Sequence, residues 1–240
     1  AADNNISWLS FKNVKYAGPS NLDFSQSTPI DNHICTYAKD VTANGTTYSQ
    51  MQPVASWDIA GENGDGRAAG VFAYGSNLWL GSAGNYVPAT NPEGEAVGNA
   101  LGLVSVWTAT SQYTQNVTLL PGTYNLMVPV YKASAGTNAP QKSLIGFIAE
   151  NGTEYLAPAK VYTQGAWTYE IVTFTLDEET NGVLSLGYTA TNAGSGAQQA
   201  LFFDCVKFVA DSYIPVAALK TAISAAEANA NAKFANVGEA

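Results

Sequence analysis

Tyr113-Thr-Gln-Asn-Val-Thr-Leu-Leu-Pro-Gly-Thr-Tyr-Asn-Leu-Met-Val-Pro-Val-Tyr131 is the stretch that decides the fold. Two strand-length segments flank a Pro121-Gly122 turn, and apolar residues alternate along both. The second puts Tyr124, Leu126, Val128 and Val130 on one face, and Thr123, Asn125, Met127 and Tyr131 on the other. Period-2 alternation about a turn dipeptide predicts a hairpin or a sheet corner packed on one side. The same pattern recurs over Trp167–Leu176, Val183–Ala190 and Ala200–Val209, so the chain reads as an all-β antiparallel sandwich.

Composition agrees. Hydrophobic residues make up 46% of the 240, enough for a core, while only 12% are charged. The formal net charge of -9 argues against a nucleic-acid partner, which draws on surplus Lys and Arg. No apolar run reaches the roughly 18 residues of a membrane span. The N-terminus shows neither the basic segment nor the apolar stretch of a signal peptide. Cys35 and Cys205 read either as a disulfide or as two buried thiols.

Ile6–Val14, Ala68–Tyr74, Asn77–Leu80, Leu101–Thr108, Gln112–Leu119 and Leu144–Ala149 complete the predicted strands, and Thr46–Val54 reads as a short edge. Asn151-Gly152 and Asn181-Gly182 read as hairpin turns. Gly61–Asn99 is Gly-rich and carries Phe72, Tyr74, Trp79 and Tyr86; long loops of this kind are often functional. After Ala210 the composition changes. Pro215 precedes a run in which Leu219, Ile223, Ala226 and Ala230 recur at helical spacing. Residues 1–210 are therefore assigned to the sandwich, and 211–240 to a short C-terminal helix or the start of a following module.

Catalytic chemistry finds little support. Gly64-Asp-Gly-Arg-Ala-Ala69 imitates a dinucleotide fingerprint, but no helix of suitable length follows to face a pyrophosphate. His33 is the sole imidazole, which leaves no triad and no conventional zinc site. Asp177-Glu-Glu179, Glu150, Glu154 and Glu170 do not specify an acid and base pair.

Two features invite a ligand. Alternation across Leu201–Phe208 puts Phe202, Asp204, Val206 and Phe208 on one face, and a carboxylate there is costly unless satisfied. A structural calcium would satisfy Asp204, as would backbone amides at the sheet margin. Aromatic rings stack on the apolar faces of sugars while amides bind the hydroxyls. On that chemistry Trp79, Tyr86, Trp107 and Tyr131 are the candidate platform, with Asn192 and Gln198 as hydrogen-bonding partners. Trp107 also reads as core, given Val104 and Val106 nearby; Trp57 and Trp167 are assigned to packing.

Asn21-Leu-Asp-Phe24 with Pro53-Val-Ala-Ser-Trp57, Tyr113-x-Gln115 with Leu119-x-Pro-Gly-x-Tyr124-x-Leu126, Gly165-Ala-Trp167 and Phe202-Phe-Asp204-x-Val206 carry a resemblance. The chain resembles carbohydrate-binding-module-like domains with the galactose-binding jelly-roll fold, from secreted glycan-utilisation proteins of gut bacteria. Ser56 and Ser25 depart from the usual Gly and Glu. The resemblance covers about residues 20–209. It implies a noncatalytic module for polysaccharide or oligosaccharide, secreted, periplasmic or at the cell surface. It also implies a structural calcium on Asp204 and the early segment of Asn21 and Asp23, and neighbouring domains in a longer chain. The alternative is a structural or adhesive spacer without its own ligand.

Overall fold

The structure, a computed structural model, describes residues 18–24, 27–30, 41–43, 46–48, 51–61, 69–76, 87–105, 110–134, 137–190, 199–211 and 224–228. Its strands are β1 (Val41–Ala43), β2 (Thr46–Tyr48), β3 (Asp58–Ile59), β4 (Ala69–Ala73), β5 (Asn99–Ser105), β6 (Thr110–Leu119), β7 (Gly122–Lys132), β8 (Lys142–Ser143), β9 (Gly146–Ala149), β10 (Glu154–Leu156), β11 (Trp167–Leu176), β12 (Thr180–Thr189), β13 (Gln199–Phe203) and β14 (Lys207–Asp211). Residues 224–228 are helical. No helix among the described residues is long and apolar enough to cross a membrane.

Two antiparallel sheets face each other. The first has the order β10-β9-β12-β6-β3, with β8 also on β12; the second has β11-β7-β13-β5-β4, with β14 also on β7. β1 and β2 form a separate hairpin. Between the sheets lies one core, including Trp57, Tyr113, Leu126, Val128, Phe147, Phe174, Leu186 and Phe203. Tyr124, Phe147 and Tyr155 all stack on Phe174, with centroids 5.4, 5.2 and 5.0 Å from it. Offset rings of this kind add to the burial term.

Pro121-Gly122 proves to be a corner. β6 and β7 belong to different sheets, and the Tyr124 hydroxyl donates to the Leu120 carbonyl 2.6 Å away, fixing the bend. Asn151-Gly152 turns the β9–β10 hairpin as expected. Asn181-Gly182 does not form a turn: it lies within β12, opposite Thr118 and Val117. A Cβ on Gly182 would stand 2.4 Å from the Ile148 carbonyl oxygen and 2.6 Å from the Phe147 ring, so close packing calls for glycine there. The change of sheet falls instead at Asp177–Glu179.

The expected strand Leu201–Val209 is broken. Phe203, Val206 and Phe208 face the core, whereas Phe202 and Asp204 face outward, so alternation fails between Asp204 and Val206. Asp204 thus does not share a face with Val206 and Phe208. The break sits opposite Pro129 of β7, whose carbonyl accepts the Asp204 N–H at 3.3 Å. A strand residue directs N–H and C=O to the same side, so the donor that Pro129 lacks would have faced this gap. A bulge is where a sheet interior tolerates proline. On the other side the Val206 N–H donates to the Leu22 carbonyl at 2.8 Å, drawing the early segment against the gap. Cys205 carries a free thiol; Cys35, His33 and Ile6–Val14 lie outside the described residues.

Candidate functional site

The outer face of the second sheet is a second apolar layer. One register row reads Trp167, Tyr131, Phe202, Gly102, Gly70 across β11, β7, β13, β5 and β4. Gly102 is the hinge of its packing: a Cβ would lie 2.6 Å from the Phe202 ring and 2.7 Å from the Phe72 ring, which meet edge to face at 5.5 Å. Ile30, Tyr74, Ala100, Val104, Ala133 and Ala200 complete the cluster, with Val87, Tyr131 and Trp167 half-buried against it.

Residues 87–98 fold back over this layer. The Gly75 N–H donates to the Pro88 carbonyl at 2.9 Å, and the Tyr74 N–H to the Gly98 carbonyl at 3.2 Å. The Trp167 indole N–H donates to the Thr90 carbonyl at 3.0 Å. Trp167 packs on Tyr131 at 5.3 Å and on Tyr74 at 6.3 Å. Tyr169, next on the same face of β11, is 46% exposed. A graded ledge results, from buried Phe202 through half-buried Tyr131 and Trp167 to open Tyr169.

Carboxylates border the ledge. Asp204 is buried at the bulge. Burial raises its carboxyl above the usual range, the Cys205 N–H and the Tyr74 hydroxyl oppose that rise, and Glu93 and Asp23 reinforce it. Tyr74 is buried too, and its hydroxyl oxygen has no partner in strict hydrogen-bond geometry although it faces Asp204. Its phenol is driven far above its ordinary range, first by burial and then by Asp204 and Glu93. The Tyr169 phenol is raised by partial burial, then by Glu93 and Asp204.

The calcium expectation meets a mixed set of donors. Among the described residues no group of three or more His, Cys, Asp or Glu side chains is placed to hold a metal ion. The Asn21 amide nitrogen is committed to Ser27 Oγ at 2.8 Å and the Ala55 carbonyl at 2.7 Å. Its Oδ1, however, is a buried acceptor with no partner. Asp23 is exposed, and its charge acts on Asp204. Asn21, Asp23 and Cys205 line one shallow depression of about 540 Å³.

Of the six residues expected to contact ligand, Tyr131 is described, and it lies on the ledge. Trp79, Tyr86, Trp107, Asn192 and Gln198 lie outside the described residues. Their segments are anchored at described points: 77–86 leaves and returns at the Gly75–Pro88 neck, beside Tyr74 and Val87. Segments 106–109 and 191–198 begin and end at strand ends paired through Ser105–Gln199 and Thr110–Thr189. Trp57 is core, as expected, its indole N–H donating to the Asn21 carbonyl at 3.0 Å. Trp167 packs but is half-buried, and Tyr169, Tyr74 and Glu93 are additions. The signal for Trp167 and Tyr169 was their common parity with Ile171 along β11, one face holding three large apolar residues.

The outer face of the first sheet is different in kind. Thr110, Gln112, Thr114, Asn116 and Thr118 of β6 stand beside Thr189, Gly187, Ser185, Val183 and Asn181 of β12. They bond to one another: Thr118 donates to Asn181 at 2.8 Å, Gln112 donates to Ser185 at 2.9 Å, and Thr110 shares a bond with Thr189 at 3.0 Å. An open groove of about 520 Å³ crosses this face, lined by Asn116, Thr118, Ile148, Glu150, Asn181 and Val183 among others. Glu150 is the only carboxylate among those lining residues.

No protein-family model matches the sequence, and no curated protein matches it. Solved structures similar to the chain include the following three. One is a family 16 carbohydrate-binding module, 20% identical over 49% of this chain and 82% of that one, with a TM-score of 0.33. Another is TmCBM61 in complex with beta-1,4-galactotriose, 14% identical over 65% and 90%, with a TM-score of 0.35. The third is the K1 cleaved adhesin domain of Lys-gingipain from Porphyromonas gingivalis W83, 13% identical over 79% and 96%, with a TM-score of 0.43. At these values none of the three bears on which residues of this chain meet a ligand.

Proposed function

We propose that the chain is a noncatalytic carbohydrate-binding module, with its glycan seated on the ledge of Tyr131, Trp167 and Tyr169. The observation that carries this reading is the gradient of aromatic exposure at the neck of segment 77–86. Rings fixed by an apolar layer offer rigid faces for a sugar ring, and exposed Glu93 beside them offers an acceptor for hydroxyls. Trp79 and Tyr86, with Asn192 and Gln198, lie outside the described residues and enter the proposal on their chemistry alone, as further stacking rings and amide donors. Hydrolysis of a glycoside needs two carboxyl groups flanking the bond. Asp204 is buried against Tyr74, and the groove of the opposite face offers Glu150 alone among its lining residues, which favours binding without turnover.

Affinity-gel retardation on a panel of neutral polysaccharides tests the reading. The intact chain is retarded by at least one, and Trp79→Ala and Tyr131→Ala each weaken retention about tenfold or more, the loss of roughly 1.4 kcal/mol or above. No retardation on any polysaccharide sinks the reading and favours a spacer without its own ligand.

A calcium ion held by Asn21 Oδ1, Asp23 and Asp204 is part of the proposal; when bound it would supply a fixed charge that ties the early segment to the bulge. Calcium then raises the melting temperature over a chelator-treated sample, and Asp204→Ala removes the difference. Equal melting in calcium and chelator rejects it.

A further inference from the structure

Most sheet edges in this molecule are short or covered. β3 and β10 are two and three residues long. The outer edge of β4 is capped: the Gln52 N–H donates to the Ala69 carbonyl at 2.8 Å, the Ile30 N–H donates to the Val71 carbonyl at 2.7 Å, and Gln52 Oε1 accepts the Val71 N–H at 2.9 Å. β11 differs. It has ten residues, pairs only with β7, and takes part in no backbone hydrogen bond beyond that ladder among the described residues. Its sequence, Trp-Thr-Tyr-Glu-Ile-Val-Thr-Phe-Thr-Leu, is rich in aromatic and β-branched residues and has neither proline nor lysine to guard it.

Exposed apolar side chains gather at the same place. Ile171 is 64% exposed and Tyr169 46%. Val209, 56% exposed, lies two strands in, in the row of Thr173 and Asn125. Val161, 53% exposed, lies in the segment entering β11. The one charge on β11, Glu170, points inward and is paired with Lys160 at 2.5 Å, so the strand's own carboxylate is buried and neutralised, while the Lys160 side chain stays 41% exposed.

We propose that β11 joins edge to edge with β11 of a second copy of this chain, antiparallel, about a two-fold axis through Ile171. Self-complementarity singles out a second copy. Centring on Ile171 places Tyr169 against the partner's Thr173 and Trp167 against the partner's Thr175, all uncharged. The acidic turn Asp177–Glu179 of each copy then falls opposite uncharged Thr163–Gly165 instead of another acidic turn. The rest of a chain of net charge -9 offers no comparable long neutral edge among the described strands. A ten-residue strand spans about 33 Å, and joining two over the ~10 Å depth of a sheet gives several hundred Å² per copy. That is the low end for a specific interface, so the dimer is weak and concentration-dependent.

Sedimentation equilibrium of the full chain, from about 5 to 500 µM, tests it. The expected result is a mass rising toward twice the monomer, abolished by Ile171→Lys and unchanged by Asn116→Lys on the outer face of the opposite sheet. Both side chains are exposed, and circular dichroism checks that each variant is folded. Thr173→Lys, on the same edge, repeats the test should Ile171→Lys misfold. A monomer at every concentration overturns the proposal. So does a dimer that survives both edge lysines.

Discussion

The two outer faces of the sandwich are built from the same strand geometry and do opposite things. Beyond the first sheet lie Thr, Ser, Asn and Gln side chains that bond to one another, from buried Ser185 to exposed Asn116. Beyond the second lie Phe72, Phe202, Tyr131 and Trp167, covered in part by Ile30 and by residues 87–98. The lesson is that a sheet's solvent side need not be its polar side: a long connection can fold back and make a third layer.

The contrast can be broken most severely at Phe202. It is fully buried although it points away from the core between the sheets. Phe202→Ala should therefore lower stability by about 3–5 kcal/mol in urea unfolding, as core truncations do. A loss below about 1 kcal/mol would mean that the covering segment is loose and the second layer is no core. Gly102→Ala comes next. Its methyl would meet both the Phe202 and the Phe72 ring at under 3 Å, so overpacking should cost about 1–3 kcal/mol. Thr118→Val, on the polar face, should change stability by about 1 kcal/mol or less, because water replaces its bond to Asn181.

Asp204 adds a pH signature to the aromatic side. Its folded carboxyl is raised, so between the unfolded value near 4 and the higher folded value the folded state holds the extra proton. Stability contributed there is present at low pH and lost as pH rises through that window. In calcium-free buffer Asp204→Asn should flatten this slope, and melting temperature against pH from about 3.5 to 7 would display it. An unchanged slope would move the titration to another group.

How much of this the chain announces depends on the residue. The alternation of Thr123–Val130 assigns each side chain to the correct face, and the Pro121-Gly122 bend is where it should be. What period alone does not disclose is which sheet a strand joins, so hairpin and corner look alike at that bend. β4 and β5, Ala-Gly-Val-Phe-Ala and Asn-Ala-Leu-Gly-Leu-Val-Ser, are apolar on both faces, which does signal cover on both sides. What supplies the cover is a non-repeating segment, and no period can place it. Asp204 was misassigned because strict alternation was carried through a bulge set by Pro129 on a strand some 75 residues earlier. The ledge was half legible: Tyr131 emerged from parity, while Trp167 and Tyr169 became part of it only once register set β11 beside β7.

Hydrogen-exchange mass spectrometry of the chain with and without a retained glycan asks most directly which outer face meets the ligand. The account predicts added protection in 87–98, 129–131 and 167–169, and none in 112–118 or 181–187. Protection confined to those last two stretches, along the hydroxyl and amide ladder, would contradict it.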